Sequence, residues 1–235
     1  MRLRRLATDA GARGEAGQTV LDGEKLLREA IASGMEVTSV LFADTPGAAP
    51  EGAAVYTAPR ELVEYASPVK VSPGPVFTVR IPLAVRPAAI QNAIVLENVQ
   101  DPGNLGTIIR AADALGAGAV FLVGTCADLW SPRVVRASMG AVFRQTVLEL
   151  PLEALRPTLR EYGLPLYGAV LQEGARDVRT LPLRNAAVAV GNEGRGLSDA
   201  FSAQCDGHVI IPMAPHSESL NAAMAATILI WEMVR

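Results

Sequence analysis

The sequence predicts an α/β protein built on a mostly parallel sheet with helices on both faces, preceded by a smaller α/β domain. Three observations carry this. From residue 93 onward, short apolar runs alternate with longer segments of helical periodicity. Those runs are continuous in Val, Ile, Leu and Ala, as expected of strands buried on both faces. The segment "RPAAIQN" (86–92), with its proline and polar residues, interrupts the pattern and reads as a linker between two domains.

Taken in order, residues 1–17 ("MRLRRLATDAGARGEAG") are expected to form a mobile tail. "QTVLDGEKLLREAIASG" then reads as strand followed by helix. Asp22 is the expected N-cap, Leu26, Leu27, Ala30 and Ile31 form the apolar stripe, and Gly34 is the stop. "EVTSVLFAD" is a strand, "TAPRELVEYA" a short helix with Pro59 near its start, and "VFTVRIPLAV" a strand, giving a first domain over 18–85. The second domain, 93–235, begins with the strand "AIVLE", a helix at 104–115, the strand "AVFLVG" and a helical stretch at "SPRVVRASMGAVF". It continues with strand-like "QTVLEL", the helix "LEALRPTLREYG", the strand "PLYGAV", then "AAVAVG", "GLSDAFSAQC" and "GHVIIP". A long final helix starts near Ser219, with Ser217 or Ser219 as its cap. Its Leu220, Met224, Thr227, Ile228, Trp231 stripe reads as core or interface, and with Met233 it offers more apolar surface than one side of a helix needs.

Composition narrows the function classes. Half of the 235 residues are hydrophobic and 19% are charged, which suits a well-buried globular protein rather than a disordered one. A net charge of −3 argues against a broad basic footprint for nucleic acid while allowing a local patch. Lys25 and Lys70 are the only lysines, so nearly all the positive charge is arginine, whose planar fork suits phosphates and base edges. Cys126 and Cys205 lie far apart and are expected as reduced thiols. Cys205, His208 and His216 match no zinc spacing, so no metal site is expected. The basic N-terminus lacks an apolar core of the secretory type, and the apolar run "AAMAATILIWEMV" is too short to span a bilayer. A soluble, cytoplasmic protein is expected.

In open parallel sheets, ligands bind at the carboxyl ends of the strands. Three segments leaving strands carry unusual polar chemistry: "NVQDPGN" after "AIVLE", "GNEGRG" after "AAVAV", and "MAPHSESLN" after "HVIIP". Their convergence on one sheet edge is the main physical signal of a site. In the first segment, Pro102-Gly103 makes a turn and Asn104 caps the helix. Arg110 lies opposite the stripe of Leu105, Ile108, Ile109 and Ala112. It is either a surface residue pairing with Asp113 or a substrate contact. "GNEGRG" has neither the glycine order of a dinucleotide fingerprint nor a Walker lysine. Gly194 and Gly196 fit turn positions of positive φ, whereas the Glu193 carboxylate has no packing role there. Ser219 and Asn221 open the last helix and face the other two loops.

"NVQDPGNLGTIIRAADALGA", "VGNEGRGLS" with "VIIPM", and "SLNAAMAATI" resemble, in order and spacing, the three consecutive motifs of the SpoU (TrmH-type) RNA 2′-O-ribose methyltransferases. "VVRASMGAVFR" is similar to that family's intermediate segment. Residues 18–85 resemble the small RNA-binding domain, akin to a ribosomal RNA-binding protein, that precedes the catalytic domain in rRNA-directed members. The resemblance implies a parallel-sheet SPOUT domain whose C-terminal chain is threaded into a trefoil knot, a feature composition and periodicity would not suggest. It implies S-adenosylmethionine held through backbone groups near Gly191, Ile211 and Leu220, a homodimer with sites near the interface, and methyl transfer to a ribose 2′-hydroxyl of RNA. Large-subunit rRNA is the expected substrate; the alternatives are tRNA, or a non-catalytic RNA-binding or assembly protein on the same fold. In that reading Arg110 lies closest to the hydroxyl, as general base or as an orienting cation, Asn104 positions Arg110 or the ribose, and Glu193 orients a neighbour. Ser219 and Asn221 would fix the hydroxyl or the cofactor loop, and Arg133, Arg136 and Arg144 would hold RNA phosphates. One departure is the Ala222-Ala223 pair after Ser-Leu-Asn, where the family usually has Val-Ser, so a hydroxyl at 223 is lost.

Overall fold

The computed structural model describes residues 2–172, 174–214, 216 and 218–235. Along the first part of the chain run α1 (Arg2–Thr8), α2 (Ala10–Ala16), β1 (Gln18–Asp22), α3 (Glu24–Ala32), β2 (Val37–Ala43), β3 (Ala54–Ala58), α4 (Arg60–Ala66) and β4 (Val76–Arg80). Then follow β5 (Ala93–Glu97), α5 (Pro102–Leu115), β6 (Ala119–Val123), α6 (Pro132–Ala137), β7 (Val147–Leu150), α7 (Leu152–Glu161) and β8 (Leu166–Ala169). The chain closes with β9 (Arg176–Asp177), β10 (Ala187–Val190), α8 (Asp199–Ser202), β11 (Gly207–Ile210) and α9 (Ala222–Val234). Two compact units result. One holds Met1–Leu83 and Asp128–Arg144, the other Ala84–Ala127 and Gln145–Arg235.

The first unit is a four-stranded sheet of order β1-β4-β2-β3, antiparallel except for the parallel β2–β3 pair. The expected mobile tail is instead α1 and α2. Leu6 enters a core cluster with Val20, Val63 and Val76, and Arg13 is buried, donating to the Leu6 carbonyl at 2.6 Å and pairing with Asp128. Asp9 caps α2 by accepting from the Ala12 N–H, and Gly17 ends it in the left-handed region at φ 57°. Two seven-residue helices hold too few apolar residues for periodicity to reveal them. The expected cap at Asp22 is also corrected: α3 starts after Gly23 without a side-chain cap. The Asp22 carboxylate accepts instead from the hydroxyls of Ser72, at 2.7 Å, and Ser67. The expected strand "VFTVRIPLAV" stops at Arg80, leaving Leu83 and Val85 exposed.

Residues 128–144, expected within the second domain, cluster with the first. Thr19 donates to the Trp130 carbonyl at 2.8 Å, the Trp130 and Phe143 rings stack with centroids 6.5 Å apart, and Arg144 pairs with Glu29 at 3.1 Å. The segment buries Val134, Val135 and Val142, and tertiary packing of such residues overrides adjacency in sequence.

The second unit carries seven strands in the order β7-β6-β5-β10-β8-β11-β9, every pair parallel. β5 and β6 are buried along their whole length, which is why they read as unbroken apolar runs. α5 buries Leu105, Ile108, Ile109 and Ala112, as the periodicity predicts. Its N-cap is Asp101, which accepts from the Asn104 N–H, rather than Asn104 itself. α9 is capped by Asn221, not Ser219, and Ser217 lies outside the described residues. α9 buries Met233, which is therefore core rather than surface, and leaves Met224, Ile228 and Trp231 exposed at 58%, 37% and 55%. Among the described residues no helix is long and apolar enough to cross a membrane.

Candidate active site

Because β5, β10 and β11 are parallel members of one sheet, the segments that follow them emerge at the same edge. A chain of side-chain hydrogen bonds ties these segments together. Glu193 Oε1 accepts from Asn104 Nδ2 at 3.0 Å and from the Asp101 N–H at 3.4 Å, and Oε2 accepts from Asn192 Nδ2 at 3.3 Å. Asn104 Oδ1 accepts from Asn221 Nδ2 at 2.9 Å. Asn221 Oδ1 accepts from the N–H groups of Ala223 and Met224, closing the first turn of α9.

The direction of this chain is dictated at both ends. An ionised carboxylate only accepts, so Asn104 must turn its amide NH2 toward Glu193 and its oxygen toward Asn221. Asn221 must then donate, which leaves its own oxygen for the helix N-terminus. Glu193 thus links its own turn to the start of α5, and Asn104 passes the link on to Asn221 at the start of α9.

The "GNEGRG" turn is closed by paired backbone bonds, Asn192 N–H to Gly196 O at 3.0 Å and Gly196 N–H to Asn192 O at 2.9 Å. Asn192 Oδ1 accepts from the Gly194 N–H at 3.0 Å. Of the two glycines assigned to positive φ, Gly196 has it, at 68°, and Gly194 does not. Gly191 is required for a different reason: a Cβ there would lie 2.1 Å from the Gly196 carbonyl carbon. Beyond the turn, the buried Glu97 at the end of β5 accepts from the Ser198 N–H at 2.8 Å and the Ser198 hydroxyl at 2.6 Å, anchoring the start of α8.

A cavity of about 460 Å³ opens at this edge. Gly191, Glu193, Ile211, Ser219 and Leu220 line it, together with Val190, Leu197, Val209 and Met213. The segment 169–172 at the end of β8 and Arg195 also line it; neither carries a sequence signal, although Arg195 sits inside the glycine-turn motif. Asn104 and Asn221 reach the cavity only through the Glu193 network. Arg110 lies on the exposed face of α5 and is neither in that network nor in the cavity wall. Arg133 and Arg136 are exposed on α6, and Arg144 is paired with Glu29, all in the first unit.

Other reactive groups serve structure. Burial pushes the Cys205 thiol up to about 11, so it stays protonated near neutrality, and burial also raises the Cys126 thiol. His208 Nε2 and the Ser202 hydroxyl are hydrogen-bonded at 2.7 Å. Among the described residues no cluster of His, Cys, Asp or Glu is arranged to hold a metal ion.

The pattern of the SpoU rRNA Methylase family matches residues 91–231. The chain is 36% identical over 146 residues to the 23S rRNA (guanosine(2553)-2′-O)-methyltransferase RlmP of Bacillus subtilis, covering 62% of this chain and 59% of that protein. It is 38% identical over 152 residues to the 23S rRNA (uridine(2479)-2′-O)-methyltransferase of Streptomyces viridochromogenes, covering 60% and 52%. The match thus spans little more than half the length of these curated relatives. Among solved structures, the SpoU methyltransferase AviRb from Streptomyces viridochromogenes superposes with a TM-score of 0.86 at 27% identity, over 99% of this chain and 95% of that one. An AdoMet-bound rRNA methyltransferase from Sinorhizobium meliloti superposes with a TM-score of 0.87 at 26% identity, over 99% and 92%.

Proposed function

This chain belongs to the SpoU rRNA methylase family, and on that premise we propose that it transfers a methyl group from S-adenosylmethionine to a ribose 2′-hydroxyl of RNA, with large-subunit rRNA as substrate. One observation carries the reading: Glu193 belongs both to the wall of the cavity bounded by Gly191, Ile211 and Leu220 and to the Asn104–Asn221 network. A volume of about 460 Å³, apolar walls and the backbone of a tight glycine turn suit an adenosyl group. The bound cofactor supplies a methyl sulfonium electrophile, so the protein's share of catalysis is alignment and handling of the hydroxyl. A guanidinium offers donors and no acceptor, so Arg110 does not take the hydroxyl proton, which passes to solvent water as the 2′-oxygen takes the methyl group. Its role is to orient the ribose-phosphate and stabilise the developing alkoxide. Glu193, Asn104 and Asn221 hold the loops in register, and Ser219 offers a hydroxyl in the cavity wall.

The same reading includes a homodimer joined through Met224, Ile228 and Trp231, an i, i+4, i+7 apolar stripe exposed on α9. Because α9 packs on α5, such a dimer gives Arg110 a route to the partner's cavity. RNA is assigned to the first unit, with Arg133 and Arg136 on its surface, and the protein to the cytoplasm with its substrate. Knotted threading belongs to this reading too, supported by the non-sequential order β5-β10-β8-β11.

The test is calorimetry with S-adenosylmethionine beside transfer to rRNA. Arg110→Ala is expected to fold and bind the cofactor normally while transfer falls by orders of magnitude, and Arg110→Lys to rescue poorly because the planar fork is lost. Transfer by Arg110→Ala at near wild-type rate contradicts the role. RNA binding without cofactor binding would point to the non-catalytic alternative.

A further inference from the structure

The geometry points to Arg195 as the residue that grips the phosphate on the 3′ side of the target ribose, a positioning role resting on the methyltransferase reading above. Among the described residues, the cavity wall carries two charged side chains, Glu193 and Arg195. Glu193 is already occupied by three donors from Asp101, Asn104 and Asn192. Arg195 is exposed and has no hydrogen bond or ion pair among the described residues. Its backbone is nonetheless held, because it occupies the tip of a turn closed by both Asn192–Gly196 bonds and braced by Asn192 Oδ1 on the Gly194 N–H. The result is a planar cation on a rigid mount at the cavity rim.

The substrate's covalent structure supplies the anion. In RNA the 2′-hydroxyl and the 3′-phosphate sit on adjacent ribose carbons. A 2′-oxygen delivered to the cavity therefore brings that phosphate to its rim. A guanidinium takes two phosphate oxygens at once, which anchors the bound strand at the rim. The competing anion is the carboxylate of the cofactor's amino-acid end. The neutral donors Gln172 and Ser219, which also line the cavity, serve a small zwitterion without a second formal charge.

The experiment compares wild type, Arg195→Ala and Arg195→Lys on an in vitro 23S rRNA transcript. It measures kcat and KM, rRNA affinity against salt with S-adenosylhomocysteine bound, and S-adenosylmethionine affinity by calorimetry. Arg195→Ala is expected to raise KM for rRNA about tenfold with kcat within about twofold. The slope of log affinity against log salt should fall by about 0.7–0.9, as for one lost phosphate contact. S-adenosylmethionine affinity should be unchanged, and Arg195→Lys should restore the salt slope and only part of KM. An unchanged KM and slope in Arg195→Ala overturns the assignment. So does a loss of cofactor affinity with rRNA affinity intact, which would give Arg195 to the carboxylate. If the wild type binds neither cofactor nor rRNA, the methyltransferase reading itself fails and takes this inference with it.

Discussion

Gly191 and Gly194 stand three positions apart in one turn and answer to opposite constraints. A Cβ at Gly191 would fall 2.1 Å from the Gly196 carbonyl carbon, whereas at Gly194 it would meet only Asn192 Oδ1 at 3.7 Å. Gly191→Val is therefore expected to open the turn, destabilising the protein by about 1–3 kcal/mol and abolishing S-adenosylmethionine binding. Gly194→Ala should leave the melting temperature and calorimetric affinity within error or slightly raised. Wild-type affinity in a folded Gly191→Val protein would show that the turn does not shape the cavity. The clash is with the protein's own backbone before any ligand arrives. Asn104, Glu193 and Asn221 were visible as polar residues at loop-to-helix junctions. Their mutual bonds were not, because residues 89 and 117 positions apart are brought together only by the sheet. Arg195 is silent in the sequence because an exposed arginine in a glycine turn carries no pattern of its own.

At the scale of elements, buried strands and amphipathic helices were legible, and exposed or short ones were not. β5 and α5 follow their apolar patterns closely. β3 is exposed over nearly its whole length, so no alternation betrays it and pairing with β2 defines it. α1 depends on Leu6 finding a core contributed by β1, α4 and β4. Where α7 meets β8 and β11, Arg156 donates to both Asp206 oxygens at 2.6 and 2.7 Å, and the Leu166 N–H donates to Asp206 Oδ2 at 2.7 Å. The hydrogen bond from Arg156 holds the Asp206 carboxyl below its ordinary value of 3.8, against an opposing effect of burial. A depressed carboxylate stabilises the folded state fully above its unfolded value, and that stability is lost as pH falls through the lower folded value. Asp206→Asn should thus cost about 1 kcal/mol at neutral pH, the scale of a partly exposed pair. In thermal melts the difference from wild type should shrink as pH drops below about 4. A difference that persists unchanged in acid would mean the carboxylate's charge is not what matters.

For the molecule as a whole, the alternation of strand and helix carries the α/β class, and the chain falls into two compact units. Assignment of residues 128–144 to the first body was hidden, since it rests on Arg13, Thr19 and Glu29, far away in sequence. The apolar stripe left on α9 predicts the assembly. Sedimentation equilibrium should give twice the chain mass of 24.7 kDa for the wild type and a single chain for Trp231→Glu. A wild-type monomer at all concentrations would remove the dimer and Arg110's route to a partner's cavity. The proposed methyl transfer to a ribose 2′-oxygen leaves its own mark on the RNA. Purified protein should be incubated with methyl-labelled S-adenosylmethionine and a 23S rRNA transcript, and the RNA then hydrolysed with alkali. Label is predicted in a dinucleotide that survives, because a methylated 2′-oxygen cannot attack its neighbouring phosphate. Label confined to mononucleotides, as base methylation would give, or no label at all, would contradict it.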